Sequence, residues 1–203
     1  AAIDLGCGPS GILDLLSAAV SPSGRVVGLD ADPRHAAMAA RRARQLGLAN
    51  VEVVSADARH TGLPQGSFDL VHARTLLVTI PEPGQVVAEM IRLARPGGWI
   101  ASQEPDCEYS LCYPPIPAWD RLHELFLAAF ARSGANPLIG RQLTELYRDA
   151  GLSEIELASR LLPNPIVGVT GTNGKTTTTE RLGAILGART AGNVGTALSE
   201  LVG

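Results

Sequence analysis

Residues 1–11 read AAIDLGCGPSG, and this stretch decides the fold. An apolar run over 1–5, interrupted only by Asp4, enters Gly6, Gly8 and Gly11. Apolar residues ending in a carboxylate and glycines mark a buried parallel strand that turns sharply at its C-terminal end. Glycines in such a turn adopt conformations closed to residues with a Cβ, and they let the backbone approach a ligand. Ile12, Leu15, Leu16 and Ala19 follow at helical spacing, which predicts a helix over 11–20. That helix would present unpaired N–H groups behind the glycines. Taken alone, the turn reads equally well as a plain strand–helix connection.

Working outward, SPSG at 21–24 ends the helix, and RVVGLD predicts a strand over 25–30. An arginine-rich helix over 33–46 follows, with Gly47 as its C-cap. Strands are expected at 51–55 and 68–72, a helix at 83–94, a turn at Arg95-Pro96-Gly97-Gly98 and a strand at 99–102. Prolines make 113–117 a loop, and helices at 118–133 and 140–150 precede a strand at 154–158. Strands alternating with helices predict an α/β fold: a Rossmann-like, doubly wound, mostly parallel sheet with helices on both faces.

The 203 residues are 45% hydrophobic and 18% charged, with a formal net charge of -3. Such a composition suits a globular domain in the cytoplasm. The absence of basic runs argues against nucleic acid, and no apolar stretch approaches the roughly 18–20 residues of a membrane span. The start is already a strand and a turn, so no signal peptide is expected. With no initiator methionine or leading helix, the chain reads as a fragment. Cys7, Cys107 and Cys112 show no metal-ligand spacing and are expected as small packed hydrophobes in a reducing compartment. Nothing in the sequence specifies an oligomeric state.

Two acidic residues give the glycine turn a context. Asp30 ends the second strand, where a carboxylate can accept both hydroxyls of a ribose, and Asp57 follows the third strand. In order, DLGCG (4–8), GLD (28–30), ADA (56–58), FDLVHAR (68–74) and RPGGWI (95–100) resemble the class I S-adenosylmethionine-dependent methyltransferases that act on small molecules. The resemblance implies that Asp4, Gly6, Cys7 and Gly8 frame the methionine part of S-adenosylmethionine. Asp30 with Ala31 would hold the ribose, and Asp57 with Ala58 the adenine. The family's third glycine position holds Ser10, with glycine displaced to Gly11. Gly6, Gly8 and Gly11 also satisfy the dinucleotide fingerprint of Rossmann dehydrogenases, but Asp4 and the Pro-Gly-Gly turn favour the methyl donor.

Ligands of open parallel sheets bind beyond the C-terminal strand ends, which places His72, Arg74, Gln103, Glu104 and Asp106 near a small-molecule methyl acceptor. His72 is the candidate catalytic base, or else a histidine hydrogen-bonded at a strand end. Glu104 and Asp106 are either acceptor-orienting or solvated carboxylates. Tyr109, Tyr113 and Trp119 either wall a pocket or pack in the core. His35, His60 and His123 are expected at the surface without partners.

The composition changes near residue 160. Every Lys or Arg before position 161 is arginine, and Lys175 is the single lysine. Residues 166–177 carry an apolar strand, a glycine loop and a threonine-rich helix start. Gly171, Thr172, Asn173, Gly174, Lys175, Thr176 and Thr177 form a candidate phosphate loop. With AGNVGTALSEL at 191–201, this segment resembles the Mur ligases, closest to the one adding D-glutamate to UDP-N-acetylmuramoyl-L-alanine. That resemblance implies Mg-ATP on Lys175 and Thr176, with Thr176 meeting the metal, and Asn193 beside a nucleotide-sugar. The downstream metal carboxylate, base pocket and C-terminal domain are missing, so ligase activity is not expected. The expected organisation is a methyltransferase domain at 1–160, a seam at 161–165 and an incomplete strand–P-loop–helix fragment at 166–203. Methyltransferase relatives finish with an antiparallel hairpin, and 166–170 could take the vacant sheet edge.

Overall fold

A computed structural model describes residues 1–9, 11–20, 23–110 and 112–156. The phosphate-loop segment, Thr176 as metal ligand, the 161–165 seam and the proposed edge strand at 166–170 lie outside the described residues. So does Ser10.

The elements run β1 (Ala2–Leu5), α1 (Leu13–Val20), β2 (Val26–Asp30), α2 (Pro33–Gln45), β3 (Val51–Ser55), β4 (Phe68–Arg74), α3 (Pro83–Leu93), β5 (Ala94–Gln103), α4 (Pro117–Ser133) and α5 (Ile139–Asp149). All strand pairs are parallel, in the order β3-β2-β1-β4-β5. β1, the strand read from the opening residues, is central and buried along its whole length. The order reverses beside it, at the topological switch point where open α/β sheets bind ligands.

Alternation along the strands sends side chains to two cores. Ile3, Leu5, Val27, Leu29, Val71 and Ala73 pack with Val86, Val87, Met90 and Leu93 of α3 and Ile139 of α5. Ala2, Val26 and Leu70 meet Ile12, Leu13, Leu16 and Ala39 on the other face. In α2 the buried positions Ala36, Ala39 and Ala43 recur at helical spacing. Such small side chains let a helix otherwise rich in arginine lie close to the sheet. Asp32 caps this helix by accepting from the Arg34 N–H at 2.8 Å, and Pro33 takes the first turn, where no donor is needed. Gly47, at φ 69, closes its C-terminal end.

Two expected boundaries change. Residues 95–98 are not a turn before the fifth strand but part of it, since β5 begins at Ala94. Ala94 pairs with Phe68 and Trp99 with Leu70, so Pro96-Gly97-Gly98 forms a bulge that Gly97, at φ 74, makes possible. Glu154–Glu156 is not a strand, and the rest of the one expected at 154–158 is outside the described residues.

Buried polar ties hold the connections. Glu89 of α3 accepts from the Thr61 N–H (2.9 Å) and hydroxyl (2.5 Å), and from Arg92 Nε (2.7 Å), fixing the loop after β3. Among the described residues no helix is long and apolar enough to cross a membrane.

Candidate functional site

The glycine turn after β1 has the backbone its residues forecast. Gly6 and Gly8 lie at φ 65 and 58, in the left-handed region that a Cβ disfavours. A Cβ on Gly6 would come 2.8 Å from Leu76 Cδ1, whereas one on Gly8 would meet nothing within 4 Å. Gly8 therefore borders open space, and its glycine is required by conformation. Gly11 is required for a different reason: an added Cβ would stand 2.8 Å from Asp4 Oδ2 and 2.4 Å from the Cys7 carbonyl oxygen. The displaced third glycine thus serves close packing of α1 against the turn.

Asp30 ties this turn to the end of β2. Its Oδ2 accepts from the Gly8 N–H and its Oδ1 from the Asp32 N–H, both at 2.9 Å. A carboxylate has about four lone-pair directions, so two such bonds leave capacity for hydroxyl donors. Cys7 donates its N–H to the Leu29 carbonyl at 2.9 Å, completing the stitch. Its thiol is buried, and burial, reinforced by Asp4 and Asp30, pushes its pKa up to about 12. It is a packed hydrophobe, as expected, and not a nucleophile.

Asp57, after β3, is half-exposed and chelated by Arg59, whose N–H, Nε and Nη2 reach it at 2.8, 3.1 and 2.7 Å. The Arg59 side chain holds its carboxyl below the usual range. Ala31 is exposed beside Asp30, and Ala58 is buried in the core beneath Asp57.

Asp4 and His72 meet in register across β1 and β4, with Asp4 Oδ1 2.7 Å from His72 Nδ1. A carboxylate only accepts, so the proton of this contact is carried by Nδ1, which leaves Nε2 as the ring atom facing away from Asp4. The ring is fully buried, and Nε2 has no partner. Gln103 Nε2 is the second buried, unpartnered side-chain atom among the described residues.

The rim carboxylates take no part in an open site. Glu104 is buried and caps the short 3-10 turn Leu77–Thr79, accepting from the N–H groups of Leu76 (3.0 Å), Leu77 (3.0 Å) and Val78 (3.1 Å). Its burial raises its pKa despite these bonds. Asp106 is held by Arg141 through Nε at 2.5 Å. Glu104 is thus not the solvated carboxylate that was one of its two expected roles, while Asp106 is partly exposed and ion-paired. Tyr113 is 96% exposed and packs in no core, while Trp119 Nε1 donates to the Ser110 carbonyl at 3.4 Å. His123 is not without a partner, since its Nε2 lies 2.7 Å from the Cys107 carbonyl oxygen; His35 Nδ1 lies 3.6 Å from Asp30 Oδ1. Thr75, at φ 54, is the one non-glycine residue with positive φ among those described. For a β-branched residue that is a strained conformation, of the sort found at functional sites. Its side chain gave no signal in the sequence, because strain is a property of the assembled corner.

The geometry defines a class: a Rossmann-like domain whose first glycine turn is tied to the carboxylate that ends the second strand. Residues 1–150 match the family model described as a methyltransferase domain, and the chain belongs to that family. It is 37% identical over 153 residues to an uncharacterized 37.1 kDa protein in transposon TN4556 of Streptomyces fradiae, spanning 75% of this chain and 43% of that protein. It is 29% identical to a demethylmenaquinone methyltransferase of a Geobacillus species, over 78% of this chain and 73% of the relative. A crystal structure of a SAM-dependent methyltransferase from Aquifex aeolicus superposes with a TM-score of 0.52 and 25% identity, covering 64% of this chain and 70% of that one. The domain is thus of the S-adenosylmethionine-dependent methyltransferase class, and the family match ends before the phosphate-loop segment.

Proposed function

We propose that this chain moves a methyl group from S-adenosylmethionine to a small-molecule acceptor. The observation that carries this reading is Asp30, whose two oxygens hold the Gly8 and Asp32 N–H groups and so fix an acidic ribose partner beside an open glycine turn. Asp4, Gly6, Cys7 and Gly8 would frame the methionine part, Asp30 and Ala31 the ribose, and Asp57 and Ala58 the adenine. Bound there, S-adenosylmethionine supplies an electrophilic methyl group on a sulfonium.

The chain's own residues then position the acceptor, because a direct displacement depends chiefly on alignment. We assign His72, through Nε2, to receive a proton from an acceptor that enters protonated, with Asp4 holding the ring and stabilising the charge it acquires. One relative is named for demethylmenaquinone, and an acceptor of that kind falls within this class.

Calorimetry with S-adenosylhomocysteine tests the reading. The wild-type chain should bind it, and Asp30→Ala should weaken binding by about 100-fold, roughly 3 kcal/mol, through loss of ribose contacts and of two turn bonds. Unchanged affinity in that variant would overturn the assignment. A second reading rests on the sequence GTNGKTT at 171–177, which suits Mg-ATP. Mg-ATP binding abolished by Lys175→Ala would support it, and no Mg-ATP binding would remove it.

A further inference from the structure

Two side chains at the ends of β4 and β5 carry polar atoms with no protein partner among the described residues. Arg74 ends β4 and is paired in register with Gln103 at the end of β5, so the two side chains share one face of the sheet. It is the face that carries Asp4 and His72, two residues earlier along their strands. Arg74 is half-buried and, among the described residues, has neither an ion pair nor a hydrogen bond on its guanidinium. Gln103 is 4% exposed, and its amide nitrogen is buried without an acceptor.

A buried amide donor left unmet is costly, and a guanidinium taken partly out of water needs an anionic partner still more. The corner that holds them is rigid. The Thr75 N–H donates to the Gln103 carbonyl at 2.9 Å with Thr75 at φ 54, and the next three N–H groups are clamped by Glu104. Strain and a buried carboxylate are both committed to fixing the ends of these two strands. Across β1 the same rim carries Gly6, which follows Leu5, the partner of Ala73.

A guanidinium offers donors only, and the buried amide nitrogen of Gln103 is a donor as well, so at paired strand positions these two groups match a negatively charged oxygen. We infer that Arg74 and Gln103 anchor the methyl acceptor through an anionic oxygen, either a carboxylate or an ionised aromatic hydroxyl. This rests on the methyltransferase reading and narrows its acceptor to molecules with such a group. A neutral amine has one lone pair and no charge, so it would leave one donor unmet and the guanidinium without a counter-ion.

The test is calorimetric, with the protein saturated in S-adenosylhomocysteine and three probes of one shape: 1-naphthoate, 1-naphthol and 1-naphthylamine. Naphthoate, naphthol or both should bind at least tenfold more tightly than naphthylamine. Proton release on naphthol binding, read from buffer-dependent heats, separates an ionised hydroxyl from a carboxylate as the preferred source. Arg74→Ala should weaken the preferred probe by about 10–100-fold, Arg74→Lys by less, and Gln103→Leu by about tenfold. All three variants should keep their S-adenosylhomocysteine affinity, which also certifies that they are folded. Equal binding of the three probes, or no binding of any by a protein that holds S-adenosylhomocysteine, would overturn the inference. So would an Arg74→Ala variant that loses S-adenosylhomocysteine and keeps the probe, since the guanidinium would then serve the cofactor. Failure of the wild type to bind S-adenosylhomocysteine would instead strike the methyltransferase reading itself.

Discussion

The two halves of the sheet treat their polar groups differently. At the ends of β2 and β3, both candidate carboxylates are engaged: Asp30 by the Gly8 and Asp32 N–H groups, Asp57 by Arg59. At the ends of β4 and β5, His72 Nε2 and Gln103 Nε2 are buried without partners and Arg74 stands unpaired among the described residues. The first half is pre-organised, its groups held in place before any ligand arrives. The second half keeps its polar groups unsatisfied on a strained corner, and a ligand is what would satisfy them. A shared cofactor and a particular acceptor would produce this contrast, because a nucleoside cradle is built mainly from backbone and an acceptor site from side chains.

Asp4 joins the halves, so replacing it should break the contrast most severely. Asp4→Ala leaves a buried His72 with both ring nitrogens unmet and should cost about 2–3 kcal/mol in a denaturant melt, with Asp4→Asn losing much less. A small loss in Asp4→Ala would mean that the pair does not organise the site.

Acid should release the tie that Glu89 makes between α3 and the loop after β3. Glu89 is held at a pKa of about 2, chiefly by the Arg92 side chain, against an ordinary 4.5. The folded value is depressed, so this contribution is complete above about pH 4.5 and is lost as pH falls towards 2. Its size is on the order of 2–3 kcal/mol. Stability measured across that window should fall in the wild type and stay flatter in Glu89→Gln.

A smaller effect separates the glycines. Gly8→Ala meets no obstruction and should lose about 1–2 kcal/mol from its left-handed backbone alone, while Gly6→Ala must also displace Leu76 and should lose more. Equal thermal shifts in the two would show that contact with Leu76 has no weight. The smallest effect belongs to Arg59→Ala. Its ion pair is exposed, so stability should hardly change, while the Asp57 pKa, followed by NMR, should move back up.

Most of the architecture around the glycine turn was legible in the sequence. A both-sides-buried strand, glycines forced by backbone conformation and a carboxylate one strand over are local features, and local features survive in the order of residues. The acceptor side was legible only as a list of residues near strand ends. Glu104 and Asp106 looked the same as ligand-binding carboxylates until the fold brought them to the 3-10 turn and to Arg141. The Pro96-Gly97-Gly98 turn became a bulge because β4 offered a partner on both sides of it.

By itself, then, the sequence determined the alternating α/β plan, the glycine turn and the acidic residue set beside it. These follow from periodicity and from the steric limits on each backbone position. Only the tertiary structure decided which polar groups are satisfied and which are left waiting. Satisfaction depends on partners far apart in the chain: His72 with Asp4, Arg74 beside Gln103, Glu104 over the 3-10 turn.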